Sequence, residues 1–218
     1  MMNSLFNWAS FSAKEIFAST NYPWQALDEI EDYIVDQSAN LGLKKFSKNV
    51  FVGEGVKIDQ SAKISGPAII GANTTIGEDT LLRGGLIIGE DCKIGHGSEV
   101  KHSIIGNNTN VAHLNYVGDS IIGSNVNLAA GVIVANYKNG AKNPEVGVVW
   151  EGKKIATGLK KFGGLIGDGV KIGSNCVINP GTIIGKNTLI YPLVSLRGNI
   201  EANKIVKYKQ KLEIANRE

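Results

Sequence analysis

Cysteine is nearly absent: of 218 residues only Cys92 and Cys176 carry a thiol, far apart in the chain. Two such residues neither supply a four-cysteine zinc site nor staple a small secreted fold, and a reducing cytoplasm is the expected compartment. No window reaches the roughly 18 consecutive apolar residues of a spanning helix. The opening MMNSLFNWASFSAKEIF lacks the basic start and apolar run of a secretory leader. Lysine plus arginine exceed aspartate plus glutamate by only 3, so no nucleic-acid partner is expected. Proline is scarce at 5, while glycine is abundant at 27 with no Gly-X-Y period. A chain with 43% hydrophobic residues and that much glycine calls first for a search for repeats.

A period of six appears in the aliphatic residues. Val52, Ile58, Ile64, Ile70, Ile76, Leu82, Ile88, Ile94 and Val100 recur without a slip. The frame moves back one residue to Ile105, Val111 and Val117, and again to Ile122, Leu128 and Val134. It resumes as Ile166, Ile172, Ile178, Ile184, Ile190 and Leu196, and many of these residues precede a glycine. Helices need hits at three and four and long strands at two, so neither fits. Six residues suit one short side and a turn, and three sides close a coil of about 18 residues, the unit of a parallel β-helix. The expectation is an all-β solenoid of about seven coils over 50–200.

Helical segments are expected at both termini, in an extension over 1–49 and in 201–218. Ser12 and Glu15 suggest a capping box for a helix over 13–19. Leu27, Ile30 and Ile34 mark a helix of about four turns from Pro23 to near Gly42. Ile205, Tyr208 and Leu212 share one stripe over 201–216. Such end elements are expected to cover a terminal coil. The repeat breaks over 135–165, where Lys138, Lys142, Lys153, Lys154, Lys160 and Lys161 oppose Glu145 and Glu151. Tyr137, Trp150 and Phe162 punctuate those lysines, which favours a projecting, phosphate-binding loop over a merely solvated one.

Three histidines are available for chemistry. His96 and His113 each follow an inward residue of one column by two positions, so they share an edge, and His102 belongs to the next. One chain does not bring all three to one metal, and no metal site is expected. A neutral imidazole suits proton removal from an attacking amine, as in acyl transfer, but spacing leaves His113 and His96 tied. Arg83 and Lys101 follow inward residues one coil apart. Two stacked cations there call for an anion between them or for compensation by Glu99.

The hexads resemble the left-handed parallel β-helix of the hexapeptide-repeat acyltransferases. AHLNYVGD at 112–119 and IGSNVNLAAGVIVANY at 122–137 further resemble the acetyltransferase domain of bifunctional glucosamine-1-phosphate acetyltransferase/UDP-N-acetylglucosamine pyrophosphorylases. The segment from KNPEVGVVW onward is similar to the archaeal-type sugar-1-phosphate nucleotidylyltransferase/acetyltransferases. This resemblance implies a homotrimer with acetyl-CoA as acyl donor and an amino-sugar 1-phosphate, glucosamine or galactosamine, as acceptor. It implies His113 as catalytic base supported by Glu99. Arg83, Lys101 and Lys142 would hold the sugar phosphate, with Tyr116, Asn127, Asn136 and Tyr137 around sugar and thioester and the Ala130 amide at the acetyl group. The stretch ahead of the first coil is too short for the relatives' nucleotidyltransferase domain, so neither that domain nor uridylyl transfer is expected. The alternatives are an acyltransferase acting on a nucleotide-linked amino sugar or another amine, a trimeric zinc hydratase, and a non-catalytic scaffold.

Overall fold

The computed structural model describes residues 1–37, 40–140, 142, 144–209, 213–214 and 216. A parallel β-solenoid dominates it, with short helices at the N-terminus. Strands form three rows, one on each side of a triangular coil. The first side runs from Val50–Val52 through Ala68–Ile70 to Asn199–Ile200. The second side is an eight-stranded sheet from Lys57–Ile58 to Ile205–Val206. The third runs from Lys63–Ser65 through Tyr116–Gly118 to Ser195–Leu196. Every aliphatic of the hexad pattern lies in one interior cluster, with Val52, Ile58 and Ile64 partly buried at its open end.

The glycines that follow the inward residues serve stacking rather than the turn itself. A Cβ on Gly71 would lie 2.5 Å from the Gly89 carbonyl carbon, one coil away. The left-handed turn residue comes two positions later and is repeatedly Asn or Asp, as at Asn73 (φ 58°), Asp91 (φ 54°) and Asn125 (φ 58°). These side chains tolerate that region better than most.

The termini depart from expectation. Residues 13–19 hold a single 3₁₀ turn, Lys14–Phe17, capped by Ala13 with no side-chain bond. There Trp8 stacks on Phe17 at 4.9 Å, so aromatic packing overrides the capping-box reading. A second 3₁₀ turn, Pro23–Gln25, precedes the helix Ala26–Gln37, with the Gln25 side chain accepting the Asn21 and Tyr22 amides at 2.9 and 2.8 Å. Leu27, Ile30 and Ile34 are its buried stripe, as the spacing predicts. At the other end Ile205–Val206 is a strand parallel to Leu189–Ile190, not a helix. Val206 packs on the interior cluster, so the coil repeat outweighs the helical stripe. Tyr208 is exposed, and Leu212 lies outside the described residues.

The N-terminal segment lies along the first side instead of over a terminal coil. Ile69, Ile87, Ile104, Ile121, Leu165 and Ile183 point outward there and are at most 1% exposed. Leu5, Phe11, Trp24, Leu27, Ile30 and Ile34 cover them. Burying each such aliphatic side chain contributes about 1.5–3 kcal/mol relative to exposure. Asp168 ties the segment down: its carboxylate accepts the Asn7 amide at 2.7 Å, and its own N–H donates to the Leu5 carbonyl at 3.0 Å. Among the described residues no helix is long and apolar enough to cross a membrane.

Candidate functional site

The corner between the third and first sides carries the densest polar cluster. Arg83, Lys101 and Gly118 stack in register where three successive coils leave the third side. The chain then turns through Gly84 (φ 46°), His102 (φ 44°) and Asp119 (φ 46°). Two non-glycine residues thus occupy left-handed corners, a strain of about 1–3 kcal/mol each that their contacts must offset. The Asp119 carboxylate, 7% exposed, meets Lys101 Nζ at 3.3 Å from both oxygens and His102 Nδ1 at 3.2 Å, and it accepts Asn136 Nδ2. Burial alone would raise its pKa. The bonds from His102 and Asn136 and the Lys101 charge outweigh that and hold it below the usual carboxylate range.

Arg83 Nη1 donates to Glu99 Oε1 at 2.7 Å. The two stacked cations therefore each have a carboxylate of their own, Glu99 for Arg83 and Asp119 for Lys101, and their proximity alone does not demand a bound anion. Tyr116 lies in register with Glu99 on the third side. Burial and the charges of Asp119 and Glu99 push its phenol above the ordinary value, so it is a hydrogen-bond donor at neutral pH.

The insert leaves the prism at this same corner. It contains an antiparallel hairpin, Gly147–Trp150 with Lys153–Ala156, and is not a coil. Phe162 is fully buried 6.0 Å from the Trp24 ring, and Trp150 packs at the margin of the same cluster. Phe162 is core and Trp150 is partly buried against it, so packing accounts for these two aromatics without a phosphate-binding loop; Tyr137 alone of the three is exposed. Phe162 N–H donates to the Asn136 carbonyl and Gly163 N–H to that of Asp119, both at 2.9 Å, closing the base of the excursion. The closure sets Asn136, Tyr137 and Lys161 beside Arg83, Lys101 and Tyr116 around an open cleft of about 520 Å³. Lys142 is exposed in a bend and does not line it.

The opposite corner of the third side holds His113. His96, His113 and Ala130 stack in consecutive coils: Leu114 N–H donates to the His96 carbonyl at 2.9 Å, Gly131 N–H to that of His113 at 3.0 Å, and Asn175 N–H to that of Ala130 at 3.0 Å. Both histidines are exposed and share a groove of about 450 Å³ with Lys57, Lys93, Asp59 and Glu78. His96 Nδ1 is 4.0 Å from Asp79 Oδ2. The Ala130 N–H makes no bond among the described residues, but neither do those of His96 and His113, so a free amide is a general property of this corner. Asn127 sits half-buried on the second side.

Of the residues singled out from the sequence, Arg83, Lys101, Tyr116, Asn136 and Tyr137 thus line one cleft. Glu99 touches it through Arg83. His113 and Ala130 sit one corner away, Asn127 on another side, and Lys142 outside. Asp119 is missing from the residues weighed in the sequence, and Lys161 and His102 appear there only as an insert lysine and a histidine with no assigned role. The available signal for Asp119 is spacing, since it falls about one coil after Lys101 and one coil before Asn136. Among the described residues no three His, Cys, Asp or Glu side chains group as metal ligands.

Comparison with known proteins follows the same lines. The family model "GMPPB C-terminal domain" matches residues 46–142, and "Bacterial transferase hexapeptide (six repeats)" matches 163–198. A bifunctional sugar-1-phosphate nucleotidylyltransferase/acetyltransferase of Sulfurisphaera tokodaii is 38% identical over 177 residues, covering 78% of this chain and 43% of that protein. The bifunctional protein GlmU of Synechococcus elongatus is 36% identical, covering 72% of this chain and 30% of its own length. The chain therefore spans less than half of either bifunctional relative. YaiX of Escherichia coli, described as an uncharacterized acetyltransferase, is 30% identical, with 84% of this chain and 88% of YaiX covered. A solved UDP-N-acetylglucosamine acyltransferase shares the fold, with a TM-score of 0.52 at 21% identity over 73% of this chain and 69% of that one. The chain belongs to the hexapeptide-repeat acyltransferases and is related to the bifunctional sugar-1-phosphate acetyltransferase/nucleotidylyltransferases.

Proposed function

We propose that this protein transfers the acetyl group of acetyl-CoA to the amino nitrogen of an amino-sugar 1-phosphate, glucosamine or galactosamine. The observation that carries the reading is the cleft. Residues chosen for contact with a sugar phosphate converge on it from three coils and from the insert. Its cations suit a phosphate, and Tyr116 and Asn136 suit sugar hydroxyls. The name of the Sulfurisphaera relative, a sugar-1-phosphate nucleotidylyltransferase/acetyltransferase, supports the same chemistry.

The acceptor lies across the third side. Its phosphate meets Arg83, Lys101 and Lys161, and its amine, on the carbon next to the phosphate-bearing one, points along the third side toward the His113 corner. The amine attacks the thioester carbonyl as a neutral group, because an ammonium has no lone pair. His113 takes the proton released as the tetrahedral intermediate forms, and Glu99 supports the amine or the base. The oxyanion accepts a hydrogen bond from the Ala130 N–H, which is free to give one. We further propose a left-handed coil, transfer chemistry within 50–200, and a homotrimer in which the open sides of neighbouring prisms complete the donor groove near Asn127.

A thiol-release assay with acetyl-CoA tests this against glucosamine-1-phosphate, galactosamine-1-phosphate and UDP-linked amino sugars. Release with at least one 1-phosphate, at a higher kcat/KM than with the UDP-linked sugars, is expected. Release only with a UDP-linked sugar, or with none, rejects the reading.

A further inference from the structure

We infer that Asp119 is the positioning residue of the acceptor cleft, aiming Lys101 and Asn136 into it from behind. The inference rests on the acetyl-transfer reading for the identity of the acceptor. Its geometry stands independently. Asp119 is absent from the cleft lining, yet its carboxylate bonds both Lys101 and Asn136, which form part of it. Through Asn136 it reaches a third lining residue. A Cβ on Gly118 would lie 2.6 Å from Asn136 Nδ2 and 2.7 Å from the Tyr116 hydroxyl, so amide and phenol converge over that glycine. His102 holds the carboxylate from the other flank.

This arrangement solves a specific problem. Lys101 has a long flexible stem and a strongly hydrated head, so without a fixed partner it samples many positions. A buried, ionised carboxylate at 3.3 Å selects the rotamers that keep the head at the cleft wall while leaving it 23% exposed for a ligand. The same carboxylate fixes which way the Asn136 amide faces, because only its nitrogen can donate to Asp119. The groups facing Asp119 are Lys101 and His102 from one strand, Asn136 from the insert, and Arg83 and Tyr116 at longer range. Arg83 is aimed separately by Glu99.

The test is a double-mutant cycle in the full chain with Asp119→Asn, Lys101→Met and the combined variant. A bond to a charged group contributes about 1.5–3 kcal/mol, so Asp119→Asn should raise the KM for the amino-sugar phosphate roughly tenfold or more. The KM for acetyl-CoA should stay within about twofold, and the double variant should be less impaired than the product of the two single effects, its remaining loss over Lys101→Met alone coming from the Asn136 contact. Parallel changes in both KM values, strict additivity, or an unchanged acceptor KM each overturn the inference. If Asp119→Asn does not fold, the wild type decides. The dimethylated Lys101 resonance, followed by carbon NMR, should step as pH falls through a midpoint below the ordinary carboxylate range, while that of Lys161 should not. A Lys101 signal without that step overturns the inference. Should the wild type release no thiol with any amino-sugar phosphate, the transfer reading fails alone. The inference is then decided by inorganic phosphate binding, which Asp119→Asn should weaken and which, left unchanged, would count against it.

Discussion

The first and third sides of the prism share one backbone repeat and do opposite things. On the first side the residue before each inward aliphatic is itself aliphatic, from Ile69 to Ile183, and the N-terminal helices seal that column from water. On the third side the matching residues include Glu99 and Tyr116, and Arg83 and Lys101 follow the inward residue. Inward positions make the solenoid. The residues beside them decide whether a side becomes core or site.

The largest effect should come from the site. His113→Ala is expected to lower kcat by roughly 10²–10⁴-fold with the fold intact, and His96→Ala, its neighbour in the same column, should cost far less. A reversed order of the two in steady-state kinetics would move the base to His96. Next, Ile104→Ala on the sealed side should cost about 2–5 kcal/mol in denaturant unfolding, because the side chain is fully buried beneath the N-terminal segment. A loss well short of that range would mean that the covering segment contributes little to stability. The smallest effect separates two lysines of the insert. Lys161→Ala should raise the acceptor KM several-fold, up to about tenfold, whereas Lys142→Ala should leave it near wild type. Equal effects would show that Lys142 reaches the cleft in the working enzyme.

The same contrast explains what can be read in advance. The inward hexads are a one-dimensional signal, and every one of them falls in the interior cluster. The doubled aliphatics Ile69-Ile70, Ile87-Ile88, Ile104-Ile105 and Ile121-Ile122 are equally visible, and they mark a side that needs a cover. Counting only the inward member hides that requirement and leaves the N-terminal helices without their true destination. The cleft is half legible. Arg83, Lys101 and Tyr116 sit on regular strands whose stacking follows from the period. Asn136, Tyr137 and Lys161 depend on how the insert closes, through bonds such as Phe162 N–H to the Asn136 carbonyl. No periodicity encodes that closure, so sequence alone does not rank Lys142 against Lys161. Phe162 shows why an aromatic beside lysines is weak evidence for a ligand, since its ring completes the core against Trp24.

The insert also leaves a mark on how the chain assembles. Ile104 pairs with Ile121 in the next coil, but Ile121 pairs with Leu165, on the far side of the whole excursion. Each coil elsewhere closes a short loop against its neighbour, so structure can grow turn by turn from either end. At the excursion the chain must close a loop more than twice as long, an extra entropic cost of about 0.8 kcal/mol for a flexible segment. The docking of Val146, Val148 and Phe162 of the insert onto the outward aliphatics of the first side offsets that cost only once that side exists. The coils up to Val134 and those from Gly164 onward are thus two runs of local contacts joined by one longer loop closure, and the acceptor cleft is completed by that closure.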